Sequence, residues 1–422
     1  MRSKKEIKGR SKHTSSSGHT SFVGIPTSGV VVFLERRRRR GEKEEEIAIL
    51  TKVLTNAAGH TEVNLGQLLT VCTTNALARQ MLGKRVFSDG SSGVDPKSDD
   101  FKGMVVELIV LAGVFNIGDF VPGLHWLNLQ GIAFKMKKLH SRFDAFLSEI
   151  LEEHKTHLHV GADKNSIDLL STLLLLLLLK DSTNAEAGDG EKLTDTEIKA
   201  LLLIDLSQDL FTAGTDTSAS TTEWAIAELF RHPKVMAQLQ LEMDTVVGRN
   251  RLVSEADLPQ LPYLQAVIKE VFRMHPSTPL SLLRMAAEEC EIDGYIILKG
   301  STLLMNVWDI LRDPKSWADP LEFKPERFLL GGEKPNADIR GNDFKVIPFG
   351  AGRRICAGMS LGLRMVQILT ASLVHAFDWG LPNGLLAEKL NMDEAYGLTL
   401  QRASPLVVHP KPRLDAHVYG AF

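Results

Sequence analysis

The chain has 422 residues, of which 44% are hydrophobic and 24% are charged. These are the proportions of a globular protein with a sizeable core, and the length suits one large domain or two ordinary ones. The formal net charge is -3. The only cysteines, Cys72, Cys290 and Cys356, are far apart in sequence, which argues against a disulfide framework and against a zinc site built from cysteines.

The positive charge is concentrated at the start of the chain. Residues 1–40 carry eleven Lys and Arg against Glu6 and Glu35, a net +9, which leaves -12 for the remainder. We predict a basic, disordered tail over residues 1–43 and one folded domain over residues 44–422. A basic tail can bind nucleic acid or acidic lipid. Such binding, which would weaken with added salt, is an alternative function of the chain. No aromatic or zinc-finger pattern accompanies the tail, so we expect no nucleic-acid partner.

From about Glu44 the apolar residues recur three and four apart, which predicts helices. The segments with this spacing are EEIAILTKVL, VNLGQLLTVCTTNALARQML, FKGMVVELIVLAGVF and GIAFKMKKLHSRFDAFLSEILEEHK. The leucine run Leu169–Leu179 is too short to cross a membrane and predicts a core helix. No segment of the sequence is predicted to span a membrane.

The second half of the chain adds a small β component. A long helix is predicted to stop near Pro233, and another lies between Pro262 and Pro276. After it, CEIDGYIILKGSTLLMNVW and YGLTLQRASPLVVHPKP have the composition of short strands with glycine-containing turns. The fold class is therefore mainly α with a small β component, within one large domain.

The stretch FGAGRRICAG surrounds one cysteine with glycines and arginines. Phe349, Gly352, Arg354, Cys356 and Gly358 fit the pattern Phe-x-x-Gly-x-Arg-x-Cys-x-Gly. A helix pattern begins just after the cysteine, and its free N–H groups favour a thiolate. The glycines permit a tight turn, and the arginine can offset a negative charge. The stretch indicates a thiolate metal ligand; a buried structural cysteine or a hydrolase nucleophile are the alternatives.

On these residues the chain resembles the cytochrome P-450 family of haem-thiolate monooxygenases. The resemblance implies the fold of that family, a haem cofactor with Cys356 as the axial ligand of the iron, and dioxygen as co-substrate. It further implies that Arg354 and Arg284 bind the haem propionates, and that Phe349, Gly352 and Gly358 shape the cofactor loop.

The stretch AGTDTS, which begins at Ala213, is the second motif of the resemblance. Gly214 would leave space for dioxygen next to the haem, and Asp216 and Thr217 offer an acid and a hydroxyl for proton delivery. The resemblance also places Ala213 and, near the C-terminus, Thr399 in contact with the substrate.

The third motif has a structural role in the family. Glu270 and Arg273 lie at i and i+3 of one helix, a spacing that by itself predicts only an ordinary ion pair. With Arg327 in the stretch PERF they resemble the Glu-Arg-Arg network that braces the cysteine loop.

Within the family, the likeness is to plant flavonoid 3'-hydroxylases. It is carried by VNLGQLLTVCTTNALAR, LAGVFNIGDFVP, HPSTPLSLLR, KPERFLLGGEKP and LNMDEAYGLTLQRA. The resemblance implies hydroxylation of the flavonoid B-ring at the 3' position, with electrons from NADPH through NADPH-cytochrome P-450 reductase. It also implies that the protein is located at the cytosolic face of the endoplasmic reticulum membrane.

The chain departs from the family pattern in several places. The anchor, first strands and first helices have no counterpart, so we expect an N-terminally truncated and soluble chain, and a catalytically inactive relative is the alternative. The segment Ile204–Leu210 carries about five extra residues, which would rotate a continuous helix by about 140°. Asp309 places a charge in an apolar stretch, where burial would penalise it. Cys72 and Cys290 are predicted to be packing residues.

Overall fold

A computed structural model describes residues 41–59, 61–82, 130–159, 213–395 and 399–420, together with isolated positions between 85 and 114. The predicted basic tail, the leucine run, the Ile204–Leu210 insertion and the first half of the long predicted helix lie outside the described residues. The first helix of the described residues begins at Glu42, close to the predicted domain boundary at residue 44.

The described part of the chain is mostly helical, as predicted. Its helices are α1 (Glu42–Ala57), α2 (Leu65–Leu82), α3 (Ile132–His159), α4 (Ala213–Arg231), α5 (Pro233–Val246), α6 (Pro262–Met274), α7 (Val307–Ile310), α8 (Met359–Ala376) and α9 (Ala416–Tyr419). Short 3-10 turns cover Leu258–Gln260, Pro325–Phe328, Gly352–Arg354, Pro382–Gly384 and Ala387–Lys389.

Prolines mark the limits of the helices α4, α5 and α6. The helix α4 ends at Arg231, and Pro233 opens α5 directly after it. Pro262 opens α6, since the first turn of a helix needs no N–H from that position. The helix α6 ends at Met274, two residues before Pro276, which cannot continue it. Both predicted boundaries are confirmed.

The core lies where α4 packs against α2, α6 and α8. The helix α8 is mostly apolar and mostly buried, as expected of a helix surrounded by others. By length and composition it is the one helix of the described residues that could cross a membrane. Because 67% of this helix is buried inside the protein, we interpret it as a core helix.

Nine short strands form the β component. They are β1 (Val63–Asn64), β2 (Arg284–Met285), β3 (Cys290–Ile292), β4 (Tyr295–Ile297), β5 (Thr302–Leu303), β6 (Phe377–Gly380), β7 (Glu394–Ala395), β8 (Gln401–Arg402) and β9 (Val407–Pro412) among the described residues. The pairs β2–β5, β3–β4 and β7–β8 are two-stranded, and β1, β9 and β6 form a three-stranded sheet in that order. All these pairs are antiparallel.

The middle strand of the three-stranded sheet contains two prolines. Val408 of β9 pairs with Val63 of β1, whereas Pro410 and Pro412 pair only with β6. Proline has no N–H to give to a second neighbour, so it is tolerated where one side of the strand is unpaired. The prolines therefore lie beyond the part of β9 that β1 covers.

Two expectations about single residues are wrong. Asp309 is exposed and lies in the first turn of α7, where its N–H donates a hydrogen bond to the Asn306 side chain. It therefore carries no burial penalty, and a carboxylate is favourable at this end of a helix. Cys290 is exposed in β3, whereas Cys72 is buried as predicted.

Candidate active site

The cysteine loop is a tight turn that leads into α8. Gly350 and Gly352 have φ of 74° and 71°, in the left-handed region that glycine adopts without strain. The turn Gly352–Arg354 follows, and the Cys356 N–H donates to the Phe349 carbonyl at 3.0 Å. This bond closes the loop and fixes the backbone of the cysteine.

The Cys356 side chain is accessible to solvent. Surrounding protein atoms nevertheless desolvate its anionic form and raise the pKa of the thiol, while a hydrogen bond from the Gly358 backbone acts in the opposite direction. Gly358 is also the N-cap of α8, so the sulfur lies next to the free N–H groups of that helix. A cation that replaces the proton would find a thiolate ligand already oriented.

Two arginines lie next to the loop. Arg354 is exposed, and Arg284, on β2, donates from Nη2 to the Arg354 carbonyl at 3.5 Å. Within the described residues neither guanidinium is paired with a carboxylate, unlike those of Arg273 and Arg327. They are therefore available to an anionic ligand, such as the carboxylates of a porphyrin.

The first turn of α4 carries the residues of the second motif. Ala213 is exposed, and Gly214, Asp216 and Thr217 are partly exposed. A Cβ on Gly214 would lie 3.1 Å from Leu77 Cδ1, so glycine allows a close approach of α2. The Thr217 hydroxyl donates to the Ala213 carbonyl at 2.5 Å.

Packing brings the segment around Thr217 close to the start of α8, which follows the cysteine loop. A Cβ on Gly362, in α8, would lie 4.0 Å from Ser218 Oγ, in α4. Ser218 directly follows Thr217, and Gly362 lies less than two turns after Cys356. The helix crossing thus places the two motifs on one side of the molecule.

The third motif forms a buried ion network. Glu270 accepts from Arg273 Nε and Nη2, both at 2.8 Å, and from Arg327 Nε at 3.3 Å. Arg273 also donates to the carbonyls of Leu311 and Pro320, at 3.1 and 2.6 Å. The structure therefore joins all three predicted residues and uses them to fasten the segment after α7 to α6.

Two further clusters were not predicted from the sequence. Asp216 accepts hydrogen bonds from Thr399 and Gln401, so the hydroxyl of Thr399 is already engaged. Glu228 accepts from His275 Nε2 at 2.8 Å, and the His275 ring stacks on Trp224 at 4.0 Å. Both pairings join distant parts of the chain, and no local spacing signals them.

The comparisons with known proteins identify the family. The sequence profile described as "Cytochrome P450" matches residues 42–406. The chain belongs to the cytochrome P450 family. It is 66% identical over 381 residues to "Flavonoid 3'-monooxygenase" of Petunia hybrida, covering 90% of this chain and 71% of the relative. Identity to a "Flavonoid 3',5'-hydroxylase" of Eustoma exaltatum subsp. russellianum is 48% over 380 residues, covering 89% and 70%.

Solved structures agree on the fold. A zebra fish cytochrome P450 structure with progesterone has a TM-score of 0.70 at 23% identity, and the match covers 92% of this chain and 81% of the zebra fish chain. The cytochrome P450 fold predicted from the sequence is thereby confirmed. Family membership makes the protein an oxidoreductase with a haem-iron cofactor and dioxygen as co-substrate.

Proposed function

We propose that this cytochrome P450 hydroxylates the flavonoid B-ring at the 3' position. The observation that carries the proposal is the 66% identity to the Petunia flavonoid 3'-monooxygenase, together with 61% to that of Arabidopsis thaliana. The reaction converts the substrate, dioxygen, NADPH and a proton into the hydroxylated product, water and NADP+. A separate NADPH-cytochrome P-450 reductase would supply the electrons.

The residues around Cys356 fit a haem. Its thiol is accessible, and Arg354 and Arg284 lie beside the loop, with guanidinium groups that no carboxylate of the described residues neutralises. We assign the axial iron ligand to Cys356 and the propionates to the two arginines. Bound haem supplies the activation of dioxygen, and a thiolate ligand favours cleavage of the O–O bond.

The remaining roles fall to the protein. Phe349, Gly352 and Gly358 shape the loop that presents the sulfur. Gly214 lets Leu77 of α2 approach the first turn of α4 closely, and Ala213 offers an apolar contact to the substrate. Thr217 and Asp216 would hold or move a proton at the hydroxyl and the carboxylate.

The protein's location in the cell is also proposed. The family resemblance points to the cytosolic face of the endoplasmic reticulum membrane, where the protein would receive electrons from its reductase. Separating membranes from the soluble fraction of cells that express the full chain tests this assignment.

A reduced, carbon-monoxide difference spectrum of the full chain tests the haem assignment. We expect the red-shifted Soret band of a thiolate complex, lost in Cys356→Ser and kept in the exposed control Cys290→Ser. With reductase and NADPH, a flavonoid with one B-ring hydroxyl, at the 4' position, should gain one oxygen atom at 3'. A thiolate band without product would indicate another substrate, and no haem band would indicate an inactive relative.

A further inference from the structure

Both carboxylate oxygens of Asp216 are held by a segment far away in the chain. The Thr399 hydroxyl donates to Oδ2, and the Gln401 side-chain amide donates to Oδ1 at 2.8 Å. Thr399 is 3% exposed, so its hydroxyl is directed into the protein. The two donors together fix the orientation of the carboxylate.

Other hydrogen bonds hold this segment against α4. Ser220 Oγ donates to the Leu400 carbonyl at 3.2 Å, and the Leu400 N–H donates to the Ser277 carbonyl at 2.9 Å. The hydroxyls of Ser277 and Thr221 lie 3.2 Å apart. The donors to Asp216 are therefore positioned by contacts that do not involve Asp216.

The two donors differ in what they can do when Asp216 takes up a proton. A hydroxyl both donates and accepts, whereas an amide N–H only donates. When Oδ2 carries the proton, the Thr399 O–H can turn away, and the Thr399 oxygen then accepts a hydrogen bond from Asp216. The Gln401 side chain carries both N–H donors and a C=O acceptor, so it can adapt only by turning its whole amide. The Thr399 hydroxyl adapts by rotation of its O–H bond alone and keeps its partner in either case.

We propose that Thr399 and Gln401 are positioning residues for Asp216: they fix the orientation of its carboxylate for proton delivery. For its catalytic consequence this inference rests on the proposed function. Without correct proton delivery, dioxygen, NADPH and a proton yield hydrogen peroxide and NADP+ in place of hydroxylated product. The yield of hydroxylated product per NADPH consumed therefore measures how well Thr399 and Gln401 position Asp216.

A double-mutant cycle on the full chain tests the contact without any cofactor. We expect Thr399→Val to lower the denaturant midpoint in the wild-type background and to have no further effect in an Asp216→Ala background. Thr399→Ser keeps the hydroxyl and should restore the midpoint. The matched control is Thr370→Val, because the buried Thr370 hydroxyl has no hydrogen-bond partner among the described residues. An equal loss from Thr399→Val in both backgrounds would overturn the proposed pairing.

The second measurement uses the chain loaded with haem, with reductase and flavonoid present. Thr399→Val should lower product per NADPH and raise hydrogen peroxide several-fold, with substrate affinity unchanged, and Thr399→Ser should rescue both. A weaker affinity with unchanged yield would overturn the positioning role and make Thr399 a substrate contact. If the proposed function is wrong, the wild type will lack bound haem or hydroxylated product. The double-mutant unfolding cycle will still test the contact between Thr399 and Asp216.

Discussion

The ring of Phe272, on α6, meets the ring of Phe349 edge to face, with centroids 5.0 Å apart and planes at 61°. Phe349 is also the residue whose carbonyl accepts a hydrogen bond from the Cys356 N–H. The contact therefore links the helix that carries Glu270 and Arg273 to the loop that carries the cysteine.

Replacement of Phe272 by Leu should loosen the cysteine loop. Loss of the aromatic pair is expected to cost about 1 kcal/mol, and the Cys356 thiol should react faster with a thiol reagent. The exposed Cys290 provides an internal reference in the same chain. If the ratio of the two labelling rates stays at its wild-type value, the link between ring packing and the loop is wrong.

Glu270→Gln should destabilise the protein strongly. It leaves Arg273 and Arg327 buried without the counter-charge of Glu270, and breaking a buried pair from one side costs about 3–5 kcal/mol. Denaturant unfolding measures the loss. Glu291→Gln, on the exposed strand β3, is the control and should change stability little. Comparable losses in the two variants would contradict the network's structural role.

The stability of the protein should depend on Glu228 in acid. Burial raises the pKa of Glu228, but hydrogen bonds from His232 and His275 outweigh it and lower the pKa from 4.5 to about 2. A lowered carboxyl pKa contributes stability above pH 4.5 that is lost as the pH falls towards 2, about 3 kcal/mol in total. Glu228→Gln should remove this dependence, and thermal unfolding from pH 6 to pH 2 measures it.

The same variant has a second signature at higher pH. The hydrogen bond to Glu228 raises the pKa of His232 above 6.5. A raised histidine pKa contributes stability that is complete below pH 6.5 and lost as the pH rises through the folded value. The difference in stability between wild type and Glu228→Gln should therefore narrow above that range. A constant difference across the acid and the neutral range would refute both assignments.

Gly332→Ala should disturb the turn that follows Arg327. An added Cβ would collide with the Glu326 carbonyl oxygen and lie 2.7 Å from that of Arg327. Because backbone atoms must move, we expect a loss of about 1–3 kcal/mol in unfolding free energy. Gly362→Ala in α8 is the control, since its Cβ meets only Ser218 Oγ at 4.0 Å. The prediction fails if the control loses as much stability as Gly332→Ala.

Local spacing in the sequence predicted the parts of the fold and site that depend on near neighbours. Prolines at 262 and 276 marked the limits of α6, and the i, i+3 spacing placed Glu270 beside Arg273. The pairing of Asp216 with Thr399 spans 183 positions, and that of Glu228 with His275 spans 47. Such pairs depend on how helices and turns pack, which periodicity does not specify. The exposure of Cys290 was missed for the same reason.

The hydroxyl of Thr217 has a consequence for the helix that carries it. It donates to the Ala213 carbonyl, which as a helical carbonyl also accepts from the N–H one turn ahead. To donate elsewhere, the Thr217 hydroxyl must turn its O–H away and leave that carbonyl with a single donor. The first turn of α4 thus has two hydrogen-bonding states that differ by one side-chain rotation, with no change required in the backbone.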